Sequence, residues 1–171
     1  ATGTGKTMVA AFDYKEQLKN EEKKLLFLAH REEILRQSLY TFRNVLKDQN
    51  YGEMFVAGDK PEENTHVFAS IQSLISSDNF KTYPKNYFDY IVIDESHHTG
   101  ATSYLKVIDY FEPQILLGLT ATPERMDGEN ILEHFNDRIA SEIRLSDAID
   151  RKLLCPFHYF AVTDPENLNH L

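Results

Sequence analysis

The sequence predicts an α/β domain, a mostly parallel sheet covered by helices on both faces, and three observations carry that prediction. Residues 1–7 read ATGTGKT, in which Gly5-Lys6-Thr7 completes the phosphate-loop pattern G-x-x-x-x-G-K-[ST]. Apolar runs such as Ile91-Val92-Ile93 and Ile115-Leu116-Leu117 are continuous rather than alternating, as strands buried on both faces require. Helical or loop sequence separates these runs, so strands should alternate with crossovers.

Each element follows in order. The first glycine of the loop pattern would fall one residue before Ala1, so the strand that delivers the loop is expected to be lacking. From Lys6 to Lys19 the spacing of Val9, Phe12 and Leu18 predicts the helix that a phosphate loop caps. Leu25 to Ala29 is a buried strand. Between Arg31 and Asp48, Leu35, Leu39, Phe42 and Leu46 step by four, three and four and mark one face of an amphipathic helix. Short strands are expected at Met54 to Ala57, Val67 to Ala69, Tyr90 to Ile93 and Ile115 to Leu119. Beyond Thr122 the pattern loosens into a helix at Glu129 to Phe135, a strand near Ile139 to Ile143, a helix from Ser146 and a strand at Phe157 to Val162.

Composition bounds the function. The chain has 171 residues with 42% hydrophobic content, enough for one globular core. Its formal charge of −9 argues against a generally basic surface, though a local basic groove is compatible with it. Cys155, the single cysteine, cannot form an internal disulfide, and no apolar run approaches the roughly 20 residues of a membrane span. A cytoplasmic location is the resulting expectation.

The glycines of a phosphate loop let backbone N–H groups converge on phosphate oxygens, and the following helix start adds positive potential. Thr2, Gly3, Thr4, Gly5, Lys6 and Thr7 are the candidate nucleotide contacts, with the Lys6 ammonium between the β and γ phosphates and the Thr7 hydroxyl on Mg²⁺. A plain glycine-rich turn is the competing account. Against it stands Ile91-Val92-Ile93 running directly into Asp94-Glu95, an apolar strand ending in two carboxylates. There Asp94 would serve the metal and Glu95 would orient and deprotonate the attacking water. A solvated acidic turn, or zinc held by His97 and His98, would use the same residues differently, but no H-E-x-x-H spacing supports zinc.

Asp94-Glu95-Ser96-His97 is a D-E-x-H box, and with Gly118-Leu119-Thr120-Ala121-Thr122-Pro123 it resembles the first RecA-like motor domain of superfamily-two, DEAD-like helicases. Ala29-His30-Arg31-Glu32-Glu33-Ile34-Leu35 is similar to motif Ia of that superfamily, and Ser70-Ile71-Gln72-Ser73-Leu74 to its next nucleic-acid-contacting segment. His98 and Glu124-Arg125-Met126-Asp127-Gly128 look most like the group containing type III restriction enzyme Res subunits. The resemblance covers roughly residues 1 to 127.

It implies a three-layer P-loop NTPase fold, ATP and Mg²⁺ as cofactors, and nucleic acid, expected to be DNA, as partner. Catalytic roles are implied for Lys6, Asp94 and Glu95. Contacts to the nucleic-acid backbone are implied for His30, Arg31, Ser70 and Gln72, and His97, Thr120 and Thr122 become the relay between phosphate state and nucleic-acid grip. Alternatives remain beside these: Arg31 paired with Glu32 or Glu33, Ser70 as a plain helix cap, and threonines that satisfy backbone groups. We expect residues 1–145 to form the truncated ATP-binding domain and 146–171 a junction toward a second RecA-like domain, whose arginines complete the site. An ATP-operated switch that ignores nucleic acid is the rival from another class. Tyr83, Tyr87, Phe88 and Tyr90 read as core or edge packing, and Glu62 and Glu63 as a solvated loop.

Overall fold

The computed structural model describes residues 5–19, 21–94, 102–120, 135, 138–140 and 150–152. Ten elements run through them: α1 (Lys6–Gln17), β1 (Leu25–Ala29), α2 (Glu32–Leu46), β2 (Glu53–Phe55), β3 (His66–Ser70), α3 (Ile71–Ile75), a 3-10 segment (Ser76–Thr82), β4 (Tyr90–Asp94), α4 (Thr102–Ile108) and β5 (Ile115–Leu119). The five strands form one parallel sheet in the order β2-β3-β1-β4-β5. Its middle strand, β1, is completely buried along its length.

Alternate residues of β1 serve two cores, which is why its sequence shows no polar alternation. Leu25, Phe27 and Ala29 pack with α1 and α2 on one face, while Leu26 and Leu28 pack with α3 and α4 on the other. The molecule is therefore three layers deep. Tyr83, Phe88 and Tyr90 are buried, in agreement with the packing role expected of them, and Tyr87 packs against the same cluster as Phe88.

Two helices differ from their expected faces. In α1 the buried positions are Ala10, Ala11 and Tyr14, whereas Val9 and Phe12 are 61% and 54% exposed. The alanines let the helix approach the sheet closely, and the bulkier side chains are left outside. In α2 Leu35, Leu39 and Phe42 are buried as expected, but the last turn turns Val45 inward and leaves Leu46 only partly covered. Past this turn Lys47 adopts φ 60°, and the Arg43 guanidinium donates to the carbonyls of Tyr51 (2.8 Å) and Gly52 (3.0 Å). These bonds fix the reversal into β2. Glu62 and Glu63 are exposed, and their backbone N–H groups donate to the Glu53 carboxylate.

The later elements expected beyond Thr122, and Cys155, lie outside the described residues apart from Phe135, residues 138–140, of which Ile139 and Ala140 carry no strand, and residues 150–152, of which Asp150 is helical. Phe135 packs against the Gly118 side of β5, where a Cβ would stand 2.7 Å from its ring. Only glycine lets the ring sit so close to this strand.

Candidate nucleotide and nucleic-acid site

Parallel pairing lines up the strand ends that the sequence singles out. Ala29 pairs with Ser70, Leu28 with Ile93, and Asp94 with Leu119, so Ser70, Ala29, Asp94 and Leu119 form one row across four neighbouring strands. At a strand spacing near 4.8 Å the row is about 14 Å long. The next residues along the chain are His30 and Arg31 after β1, Ile71 and Gln72 after β3, and Thr120 after β5. Ligands of open parallel sheets bind at this carboxyl edge.

The start of α1 belongs to the same edge. Tyr14 donates to the Lys23 carbonyl just before β1, and the hydroxyl of Tyr90, the first residue of β4, donates to Asp13. The second half of α1 therefore lies at the edge where strands begin. Lys6, seven residues earlier than Asp13, is about 10 Å further along the helix axis, toward the edge where strands end. Gly5 precedes it with φ 78° and ψ 26°, a left-handed conformation that only glycine takes readily. As the N-cap residue Gly5 brings no capping side chain, and the first turn carries no acidic residue. A helix start points its backbone N–H groups and the positive end of its dipole outward, the arrangement that accepts a phosphate.

Asp94 is 9% exposed, a carboxylate at the rim of the core. Together with the Thr7 hydroxyl it offers hard oxygen donors of the type Mg²⁺ takes, so the residues present fit a magnesium-nucleotide complex. Lys6, Asp94 and Thr120 all engage other groups of the chain. Thr2, Gly3, Thr4, Glu95, His97 and Thr122 lie outside the described residues.

The segments after β1 and β3 meet directly. The Gln72 side-chain amide is 2.7 Å from His30 Nδ1, and both residues are exposed. Ser70 caps α3: its Oγ accepts from the Ser73 N–H (3.1 Å) and lies 2.8 Å from the Ser73 hydroxyl. The cap orients the turn that carries Gln72. Arg31 stands at the start of α2, exposed, and among the described residues it has no ion-pair partner. Its neighbour Glu32 pairs instead with Arg36 one turn on, at 2.5 Å. Arg31 thus stays exposed, next to His30 in the chain. The His30–Gln72 link joins residues 42 apart in sequence, and no local signal in the chain foretells it.

A helix start behind Gly5, a rim carboxylate on β4 and polar strand tips in one row are the features expected of the first RecA-like motor domain of superfamily-two helicases. Within that class, residues 1–125 match the family described as "Type III restriction enzyme, res subunit". The chain belongs to that family. It is 30% identical over 175 residues to "Putative ATP-dependent helicase IRC3" of Saccharomyces cerevisiae, an alignment covering 95% of this chain and 25% of that protein. The chain thus spans about a quarter of the length of this relative. Among solved structures, the Hef helicase domain of Pyrococcus furiosus superposes with a TM-score of 0.64 at 21% identity, covering 80% of this chain and 32% of the other. The Type ISP restriction-modification enzyme LlaGI, in complex with a DNA substrate mimic, gives a TM-score of 0.59 at 19% identity over 90% of this chain and 18% of its own. Both likenesses establish the fold. No helix among the described residues is long and apolar enough to cross a membrane.

Proposed function

We propose that this chain is the ATP-binding half of an ATP-dependent helicase or translocase that acts on DNA. The observation that carries the proposal is the row of Ser70, Ala29, Asp94 and Leu119. It sets a carboxylate suited to a nucleotide's metal beside two strand tips suited to a phosphodiester backbone.

Thr2, Gly3, Thr4 and Gly5 surround the phosphates with backbone N–H groups, and the Lys6 ammonium answers the charge of the β and γ phosphates. Thr7 and Asp94 hold Mg²⁺, which when bound neutralises phosphate charge. Glu95 orients the attacking water and accepts its proton. His30, Arg31 and Gln72 hold the sugar-phosphate backbone without reading sequence, on a turn that the Ser70 cap shapes. His97, Thr120 and Thr122 pass the state of the γ phosphate to that grip. Residues 1–145 form the ATP-binding domain and 146–171 lead to a second RecA-like domain that completes the site. The fourfold greater length of the IRC3 relative supports this arrangement. The DNA substrate mimic bound by LlaGI, a protein of the same fold, supports DNA as the partner.

ATP hydrolysis by the full-length protein, measured at low salt with and without single- and double-stranded DNA, tests the proposal. Stimulation by either form is expected. Identical rates in all three conditions would sink the motor account.

A further inference from the structure

We infer that His30 and Gln72 act as one unit in holding a nucleic-acid strand, with Gln72 the positioning residue that sets the hydrogen-bonding polarity of His30. The inference rests on the proposed grip at this edge and deepens it. Gln72 Nε2 and His30 Nδ1 stand 2.7 Å apart. In this orientation of its amide Gln72 donates to Nδ1, which places the imidazole proton on Nε2. Nε2 is thereby a donor, the polarity a phosphate oxygen demands.

The pair is also well founded beneath. His30 follows Ala29 at the end of β1, and Gln72 sits in the first turn of α3, two residues after Ser70 at the end of β3. Ala29 and Ser70 are partners in the sheet, and Ser70 secures its turn through both Ser73 contacts. The link therefore closes a short ring between two neighbouring strands. Two exposed polar side chains bonded to each other contribute little to folding, because water satisfies them nearly as well in the unfolded chain. What the bond does supply is order before binding. A side chain already held in place loses less freedom when a strand arrives.

A double-mutant cycle on the full-length protein tests this, with His30→Ala, Gln72→Ala and the double variant titrated against a fluorescein-labelled oligonucleotide at one salt concentration. Each single change should loosen binding several-fold, and the double variant should bind no more weakly than the worse single, a coupling on the order of twofold or more. Imidazole nitrogen shifts should show His30 as the Nε2–H tautomer in the wild type and a tautomer mixture in Gln72→Ala. Thermal stability should stay constant across the set. Losses that multiply in the double variant overturn the inference, as does wild-type affinity in both singles. Either result leaves the motor proposal standing if DNA still binds the wild type. A wild-type protein that neither binds the oligonucleotide nor responds to it in ATP hydrolysis removes both.

Discussion

At the edge where its strands begin, the sheet closes over Tyr14, Tyr51, His66 and Tyr90, whereas at the edge where they end it opens onto His30, Arg31, Gln72, Asp94 and Thr120. The closed edge is an aromatic cluster: Tyr14 meets Tyr90 edge-on at 5.3 Å between ring centres, and Tyr51 stacks on His66 at 4.4 Å. Two hydroxyls there are spent on structure, Tyr14 on the Lys23 carbonyl and Tyr90 on Asp13. Burial pushes the Tyr14 hydroxyl up to about 12 and raises Tyr90 and Tyr51 as well, with Asp13 adding to the effect on Tyr90. These phenols stay neutral at any physiological pH. The open edge spends its polar groups on surfaces and tips, where a ligand can reach them. One set of strands thus carries packing at one end and chemistry at the other, and changes at the two ends should have separable effects.

The largest expected effect lies at the closed edge. Tyr14→Ala removes a completely buried ring that touches Phe42, Tyr51, His66 and Tyr90, and should cost about 3–5 kcal/mol of stability in chemical denaturation. A loss below 1 kcal/mol would show that this cluster does not hold the sheet. Glu95→Gln comes next. In the full-length protein, nucleotide should still bind while steady-state hydrolysis falls by at least about 10². Wild-type turnover would remove Glu95 from the role of base.

Arg31→Ala should have a smaller consequence, loosening DNA uniformly across sequences and lowering the slope of log affinity against log salt by about 1. An unchanged slope would mean that Arg31 touches no phosphate. The smallest effect concerns pH. Burial lowers the His66 pKa below its ordinary value, against the opposing carboxylates of Glu22, Asp48 and Glu53, and its Nδ1 has no hydrogen-bond partner among the described residues. The unfolded chain therefore binds the proton more readily than the folded one. His66 leaves stability intact above the unfolded value of about 6.5 and takes some away as pH falls below it. His66→Phe should flatten that part of a stability-versus-pH curve, and a curve unaltered by the change would contradict the burial account.

The open edge was largely legible in the sequence, the closed edge hardly at all. Chemistry constrains residue type at fixed spacing, so Gly5-Lys6-Thr7 and Ile91 to Asp94 announced themselves, and the strand runs placed β1, β4 and β5 closely. Packing constrains volume and shape, which many residues satisfy. The inward alanines of α1 carried no stronger signal than Val9 and Phe12, which the structure leaves outside. Contacts between distant residues were hidden for the same reason. Neither the Tyr51–His66 stack nor the His30–Gln72 bond follows from anything local, because the parallel crossovers alone decide which strand tips become neighbours.

The central claim is that nucleotide and nucleic acid occupy one coupled edge. Oligonucleotide affinity of the full-length protein, measured with and without a non-hydrolysable magnesium-ATP analogue, tests this most directly. The account predicts that the analogue shifts oligonucleotide affinity several-fold and that the oligonucleotide shifts analogue affinity by the same factor, since equilibrium coupling is reciprocal. Affinities that remain independent, with both ligands bound, would contradict it.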